Sequence, residues 1–240
     1  MTEQDREIIK ENVLKVKERI LTACKKAGTN TDEIHLVAAT KMNTAERVQQ
    51  AIKAGIKIAG ENRVQELLEK YEQNAYKGAD LQFIGNLQSN KVKYLIGKVS
   101  LIQSVDSEKL AETIAFQAEK KNICQDILIE VNIAKESSKG GIFPEDIDRM
   151  MEKLCKLDAI RVKGLMAIPP ISHKAGENLR YFDKMRELFI DISQKKYDNV
   201  SMDFLSMGMS GDFEDAISCG SNMVRVGTAI FGLRPYMLNK

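Results

Sequence analysis

The chain has no tryptophan, two histidines, four prolines and four cysteines in 240 residues. Each scarcity excludes something. Cys24, Cys124, Cys155 and Cys219 lie far apart and form no C-x-x-C pair. Neither a zinc site nor a disulfide framework is indicated, and free thiols in a reducing, cytoplasmic setting are expected. His35 and His173 are isolated from each other and read as structural rather than catalytic. The formal net charge is +2, which gives no electrostatic reason to expect a nucleic acid or an anionic membrane as partner. No apolar run is long enough for a membrane span, and the charged N-terminus "MTEQDREIIKENV" does not resemble a signal peptide. No glycine-rich dinucleotide fingerprint or P-loop follows any candidate strand. Pro-rich and Gly/Ser-rich tracts are also missing, so residues 1–240 read as a single domain.

What is present is alternation. Ile9, Val13, Val16, Ile20 and Cys24 recur at helical spacing, with Gly28 as a stop, which predicts an opening helix. "HLVAAT" reads as a strand. Asn43, with Glu46 three residues on, offers a capping box for a helix running to Gly55. "IKIAG" is a second strand, and "ENRVQELLEKY" a second helix with Val64, Leu67, Leu68 and Tyr71 on its apolar stripe. The runs "LQFIG", "VSLIQSV", "DILIEV", "RVKGLMAI", "MDFLSM" and "NMVRVG" continue the series, each followed by a helical stretch except the last, which leads into a short tail. Several strands are continuous apolar runs, as parallel strands buried on both faces require. The pattern predicts a (β/α)8 barrel with an extra N-terminal helix; an open doubly wound sheet has the same alternation and is the alternative.

In such a barrel, chemistry sits on the loops after the strands. Lys41 lies there, after "VAAT" and before a helix start. A desolvated lysine among small neighbours can form an imine with a carbonyl compound; a solvated lysine opening a helix is the plain alternative. The loops after strands seven and eight, "SMGMSGD" and "RVGTA", combine Ser206, Ser210, Gly227 and Thr228 where barrels often bind phosphate. Arg225 interrupts the apolar run "NMVRVG" and, facing inward, needs an acceptor: a ligand atom, or a carboxylate such as Glu130. A lysine for an aldehyde, two loops for a phosphate and an arginine for a ring nitrogen together describe a pyridoxal 5′-phosphate (PLP) site.

The segments "LVAATKMNTAERVQQAI", "GENRVQE", "FIGNLQSNK", "VKGLMAI", "LSMGMSGDFEDAI" and "MVRVGTAIFG" run in order along nearly the whole chain. They resemble the PLP homeostasis protein family, single-domain relatives of the barrel domain of bacterial alanine racemase. The resemblance implies a Schiff base on Lys41, a phosphate held by Ser206, Ser210, Gly227 and Thr228, and Arg225 opposite the pyridine nitrogen. It places Asn62 and Met166 beside the ring. The family usually has a histidine where this chain has Gln82, which can still hold a hydrogen bond.

A PLP site does not imply turnover. An arginine at the ring nitrogen disfavours its protonation and weakens the electron sink. In alanine racemase a tyrosine from a second domain supplies the second base; this chain ends at "FGLRPYMLNK", and Tyr236 in that tail has no evident path to the ring. The expectation is a cytoplasmic, monomeric PLP carrier with no catalytic residue and no metal, and with amino acids or apo PLP enzymes as acceptors. The alternatives are a PLP-dependent amino-acid racemase and a regulatory scaffold shaped by its ligand. Lys91, Lys93 and Lys98 read as a solvated face, Met207 and Met209 lie next to the presumed phosphate loop, and the Lys135–Ile142 loop has no assigned chemistry.

Overall fold

Thr2 and Asp5 cap each other's backbone reciprocally and start α1 (Glu3–Ala27), and Gly28 ends it in the left-handed conformation at φ 69°. The predicted stripe is the one α1 buries, packed with Ala38, Phe213, Val224, Val226 and Ile230. The structure is a computed structural model and describes residues 1–137, 139–171 and 174–232. His173, Tyr236 and part of the Lys135–Ile142 loop lie outside the described residues.

Eight parallel strands follow: β1 (His35–Ala39), β2 (Ile58–Glu61), β3 (Asp80–Phe83), β4 (Leu101–Val105), β5 (Gln125–Glu130), β6 (Ile160–Met166), β7 (Val200–Ser206) and β8 (Met223–Val226). They pair in chain order and close, because β8 pairs with β1. The sheet is therefore a closed barrel, not the open alternative. The closing register sets Val37 beside Arg225 and Ala38 beside Val226, which puts two segments distant in sequence side by side.

The outer ring is α2 (Ala45–Lys53), α3 (Val64–Glu72), α4 (Val92–Leu95), α5 (Glu108–Glu119), α6 (Ile147–Leu154), α7 (Leu179–Gln194) and α8 (Phe213–Ser218). The predicted tail after β8 begins instead as a one-turn helix, α9 (Thr228–Phe231). The strands alternate as a doubly buried sheet must. Ala59, Phe83, Ile102, Ile127, Leu165 and Leu205 face the helices, while Val37, Leu101, Leu128, Met166 and Met223 fill the barrel.

Two local expectations change. Thr44, not Asn43, caps α2, its hydroxyl accepting from Arg47 N at 3.4 Å. Asn43 is used by the preceding turn, where its Nδ2 donates to the Lys41 carbonyl at 3.1 Å. On α3 the buried residues are Val64, Leu67 and Lys70, while Tyr71 is 43% exposed and Leu68 only partly buried. The helix turns Lys70 inward because an ion pair awaits it there, described below.

Candidate functional site

The site is built first from the turn after β1. Thr40 is buried; its backbone N–H donates to the Gly60 carbonyl at 2.9 Å, and its hydroxyl sits between that carbonyl, at 3.1 Å, and the nearer Glu61 Oε1, at 2.7 Å. The chain then bends sharply: Met42 takes φ 62°, a left-handed conformation rare for a residue with a long side chain. Lys41, half-buried on this bend, lines a cavity of 280 Å³ with Ala39, Arg47, Gly227 and Thr228. Gly227 borders Ala39 across the strand closure: a Cβ built there would lie 3.4 Å from the Ala39 carbonyl and methyl, in ordinary contact.

The other wall is the start of α9. Helix starts leave N–H groups unsatisfied. Here Ser210 Oγ accepts from both Gly227 N at 3.2 Å and Ala229 N at 3.3 Å. Two N–H groups converging on one oxygen is the arrangement an anionic oxygen would also satisfy. Ser210 reaches that point because Gly208, at φ 91°, turns the chain sharply out of β7, where a Cβ would meet Ala216 at 2.6 Å.

Deeper in the barrel lies Arg225, 4% exposed. Its Nη1 donates to Ser206 Oγ at 2.5 Å and its Nη2 to the Ala167 carbonyl at 2.9 Å. It forms no ion pair with Glu130, the carboxylate suggested by the sequence; that pair is coupled only through space. Burial lowers the guanidinium to about 10, against the attraction of Glu130 and Asp212. Burial, reinforced by Asp106 and opposed by Arg225, pushes Glu130 up to about 7.

From Arg225 a one-way chain of hydrogen bonds crosses the interior. Ser206 Oγ donates to Gln103 Oε1 at 2.7 Å, Gln103 Nε2 to Gln82 Oε1 at 2.6 Å, and Gln82 Nε2 to Asp80 at 3.0 Å. Gln82, where the resembling family has histidine, is thus a link in this chain.

The predicted residues therefore divide. Lys41, Gly227 and Thr228 share the cavity, and Ser210 is bonded to its α9 wall. Ser206, expected among the phosphate groups, does not line the cavity; its hydroxyl is committed to Gln103 and Arg225 in the interior. Met166 is fully buried in the barrel, in register with Glu130 and Ser206. Asn62 lines a different groove of 420 Å³ with Arg63, Asn86, Lys91 and Tyr94, and its Oδ1 is buried without a hydrogen-bond partner. Sequence reasoning missed Arg47, whose Nε donates to Asn43 Oδ1 at 3.1 Å on the cavity wall. Its signal was position: the first turn of the helix that follows Lys41. It also missed Gln103, a polar side chain at an inward position of β4.

Residues 6–235 match the family model described as "Alanine racemase, N-terminal domain". The chain is 47% identical over 228 residues to the "Pyridoxal phosphate homeostasis protein" of Aquifex aeolicus, covering 94% of this chain and 98% of that one. The chain belongs to the alanine racemase N-terminal domain family, among its pyridoxal phosphate homeostasis proteins. Solved structures of similar proteins superpose on this barrel. A crystal structure of an unknown protein from Bifidobacterium adolescentis superposes with a TM-score of 0.91 at 36% identity, covering 96% of this chain and 97% of that one. PipY of Synechococcus elongatus, solved with PLP bound, superposes with a TM-score of 0.78 at 29% identity, covering 90% of this chain and 100% of that one. Among the described residues, no helix is long and apolar enough to cross a membrane.

Proposed function

We propose that this chain holds PLP as a Schiff base on Lys41 and serves intracellular PLP homeostasis, storing, buffering and delivering the cofactor without robust catalysis. One observation carries the reading: a single 280 Å³ cavity takes Lys41 from the end of β1 and Gly227 and Thr228 from the start of α9. A lysine and the turn that opens α9 border one small space, which suits a ligand with an aldehyde at one end and a phosphate at the other. The name of the Aquifex aeolicus relative and the PLP-bound structure of PipY support that choice of ligand.

In this reading Lys41 Nζ condenses with the aldehyde, releasing one water. Ser210, Thr228 and the N–H groups of Gly227 and Ala229 hold the phosphate. Arg225 meets the ring nitrogen, and Ser206 supports Arg225 rather than the phosphate. Met166 and Asn62 flank the ring, the orphaned Asn62 Oδ1 gaining a partner. Bound PLP supplies a reactive aldehyde and an electron-accepting ring. A guanidinium at the nitrogen keeps that ring unprotonated, which favours holding over carbanion chemistry. The chain acts as a cytoplasmic monomer, and amino acids or apo PLP enzymes take up the released cofactor.

The test is the visible spectrum of PLP-loaded protein before and after borohydride, followed by peptide mass mapping. The expected result is an imine band that disappears on reduction and leaves a pyridoxyl group on the Lys41 peptide, with no band in Lys41→Ala. A protein that cannot be loaded overturns the reading. The racemase alternative would need a second proton-carrying group, and Glu130, at the end of β5 and pushed up to about 7 by burial, is a candidate on the chain. Wash-out of an amino acid's α-proton into deuterated water at an ordinary enzymatic rate would decide for that alternative.

A further inference from the structure

A lysine ammonium rides on a long flexible stem, so its reach is set by the backbone that carries it. The two peptide groups that bracket Lys41 are both held from outside their own βα unit. The Thr40 carbonyl, just before Lys41, accepts from Lys70 Nζ at 2.8 Å. The Met42 N–H, just after it, donates to Glu66 Oε1. Glu66 and Lys70 are one turn apart on α3 and pair with each other at 2.7 Å. Lys70 Nζ also contacts Glu61 Oε1 at 2.5 Å, and the side chains of these two residues are 6% and 0% exposed. Glu61 in turn accepts from the Thr40 hydroxyl at 2.7 Å, Tyr76 OH at 3.3 Å and Asn62 N at 3.1 Å. The foot of the network is therefore fully compensated inside the wall, and its two arms end on the Lys41 turn.

We propose that Glu66 and Lys70 form a charged clamp that positions Lys41 for its reaction with the cofactor; the proposal rests on the Schiff-base reading above. Both arms are charge-assisted hydrogen bonds, shorter and stronger than neutral ones. They hold Met42 in the left-handed conformation that a non-glycine residue leaves when its support is removed. Glu66 and Lys70 touch no reacting atom. They are positioning residues, and they set the direction in which the Lys41 stem leaves the turn.

Glu66→Ala tests the clamp without opening the core, because Lys70 keeps its pair with Glu61. Glu66→Gln retains an acceptor for Met42 N–H. On the full chain, three readouts are compared: the rate at which the imine band appears on adding PLP, the affinity for pyridoxine 5′-phosphate (which has no aldehyde), and amide exchange at Met42. The alanine variant is expected to form the imine about tenfold more slowly while its affinity for the aldehyde-free ligand stays within about twofold, the mark of lost orientation rather than lost binding. Met42 exchange should accelerate, and Glu66→Gln should recover most of the rate. An unchanged imine rate overturns the clamp. So does an equal weakening towards both ligands, which would signal general loosening. If the unaltered protein yields no reducible imine on Lys41, the functional reading fails on its own; Met42 exchange then decides the clamp, faster exchange supporting it and unchanged exchange overturning it.

Discussion

Two buried cations stand within the same barrel and are treated in opposite ways. Lys70 touches two carboxylates directly and donates to a carbonyl, so each of its N–H donors has a partner. Arg225 is as deeply buried, yet among the described residues it bonds only to a hydroxyl and a carbonyl, and the carboxylates of Glu130 and Asp212 act on it through space. The lysine is a finished anchor. The arginine keeps its positive charge uncompensated by contact, at the cost of desolvation, and part of its five-donor capacity unspent. A buried cation neutralised in place is a fixed part of the wall; in the proposed reading, the one left with neutral partners is the one that meets the ligand.

The comparison breaks in measurable ways. Lys70→Met leaves Glu61 buried beside Glu66 with no cation, and it is expected to destabilise the chain by about 3–5 kcal/mol, read by denaturant unfolding. Restoring neutrality with Glu61→Gln in the same chain should recover much of that loss. If Lys70→Met unfolds no more easily than the unaltered protein, the anchor account fails.

Next in size is the carboxylate coupled to the arginine. Glu130 is raised from an ordinary value of 4.5 to about 7, so the folded state binds the extra proton between those values. Its contribution to stability is greatest below about pH 4.5 and declines as pH rises towards 7, reaching a penalty of up to roughly 3 kcal/mol above it. Glu130→Gln should remove that slope and make the protein relatively more stable at pH 8 than the unaltered chain. A pH–stability curve that is the same with Gln at this position would show that Glu130 is not perturbed in this way.

The smallest effect is expected at the arginine itself. Arg225→Met removes an incompletely paired charge and leaves Ser206 Oγ and the Ala167 carbonyl short of a donor, a balance of about 1–2 kcal/mol in unfolding experiments. Its effect on PLP affinity should be larger than its effect on stability, the reverse of Lys70→Met. Equal effects on both quantities would erase the distinction between the two cations.

Much of this was legible. The helix face of Ile9, Val13, Val16 and Ile20 is the face α1 buries. Arg225 declared itself by interrupting an apolar run, because inward positions of a parallel strand rarely carry charge without a reason. Other features were not legible because they depend on neighbours remote in sequence. Nothing in the local pattern of α3 marks Lys70 as buried; the inward ammonium is stabilised by the buried Glu61 on β2. Ser206 and Ser210, four residues apart, have different surroundings: Ser206, at the end of β7, turns inward to Gln103 and Arg225, while Ser210 meets the start of α9. Asn43 matched a capping pattern, but the bend at Met42 took it for the turn and passed the cap to Thr44.

The sequence by itself determined the alternation of strands and helices, the buried faces, and the kinds of side chain at the strand ends, because these follow from local periodicity and from the cost of burying polar groups. Only the tertiary structure decided that β8 closes on β1. That closure brings Lys41, near the start of the chain, onto the same cavity as Gly227 and Thr228, near its end. Barrel closure is a global solution to unpaired sheet edges, set by strand register and twist, and no local stretch of residues contains it.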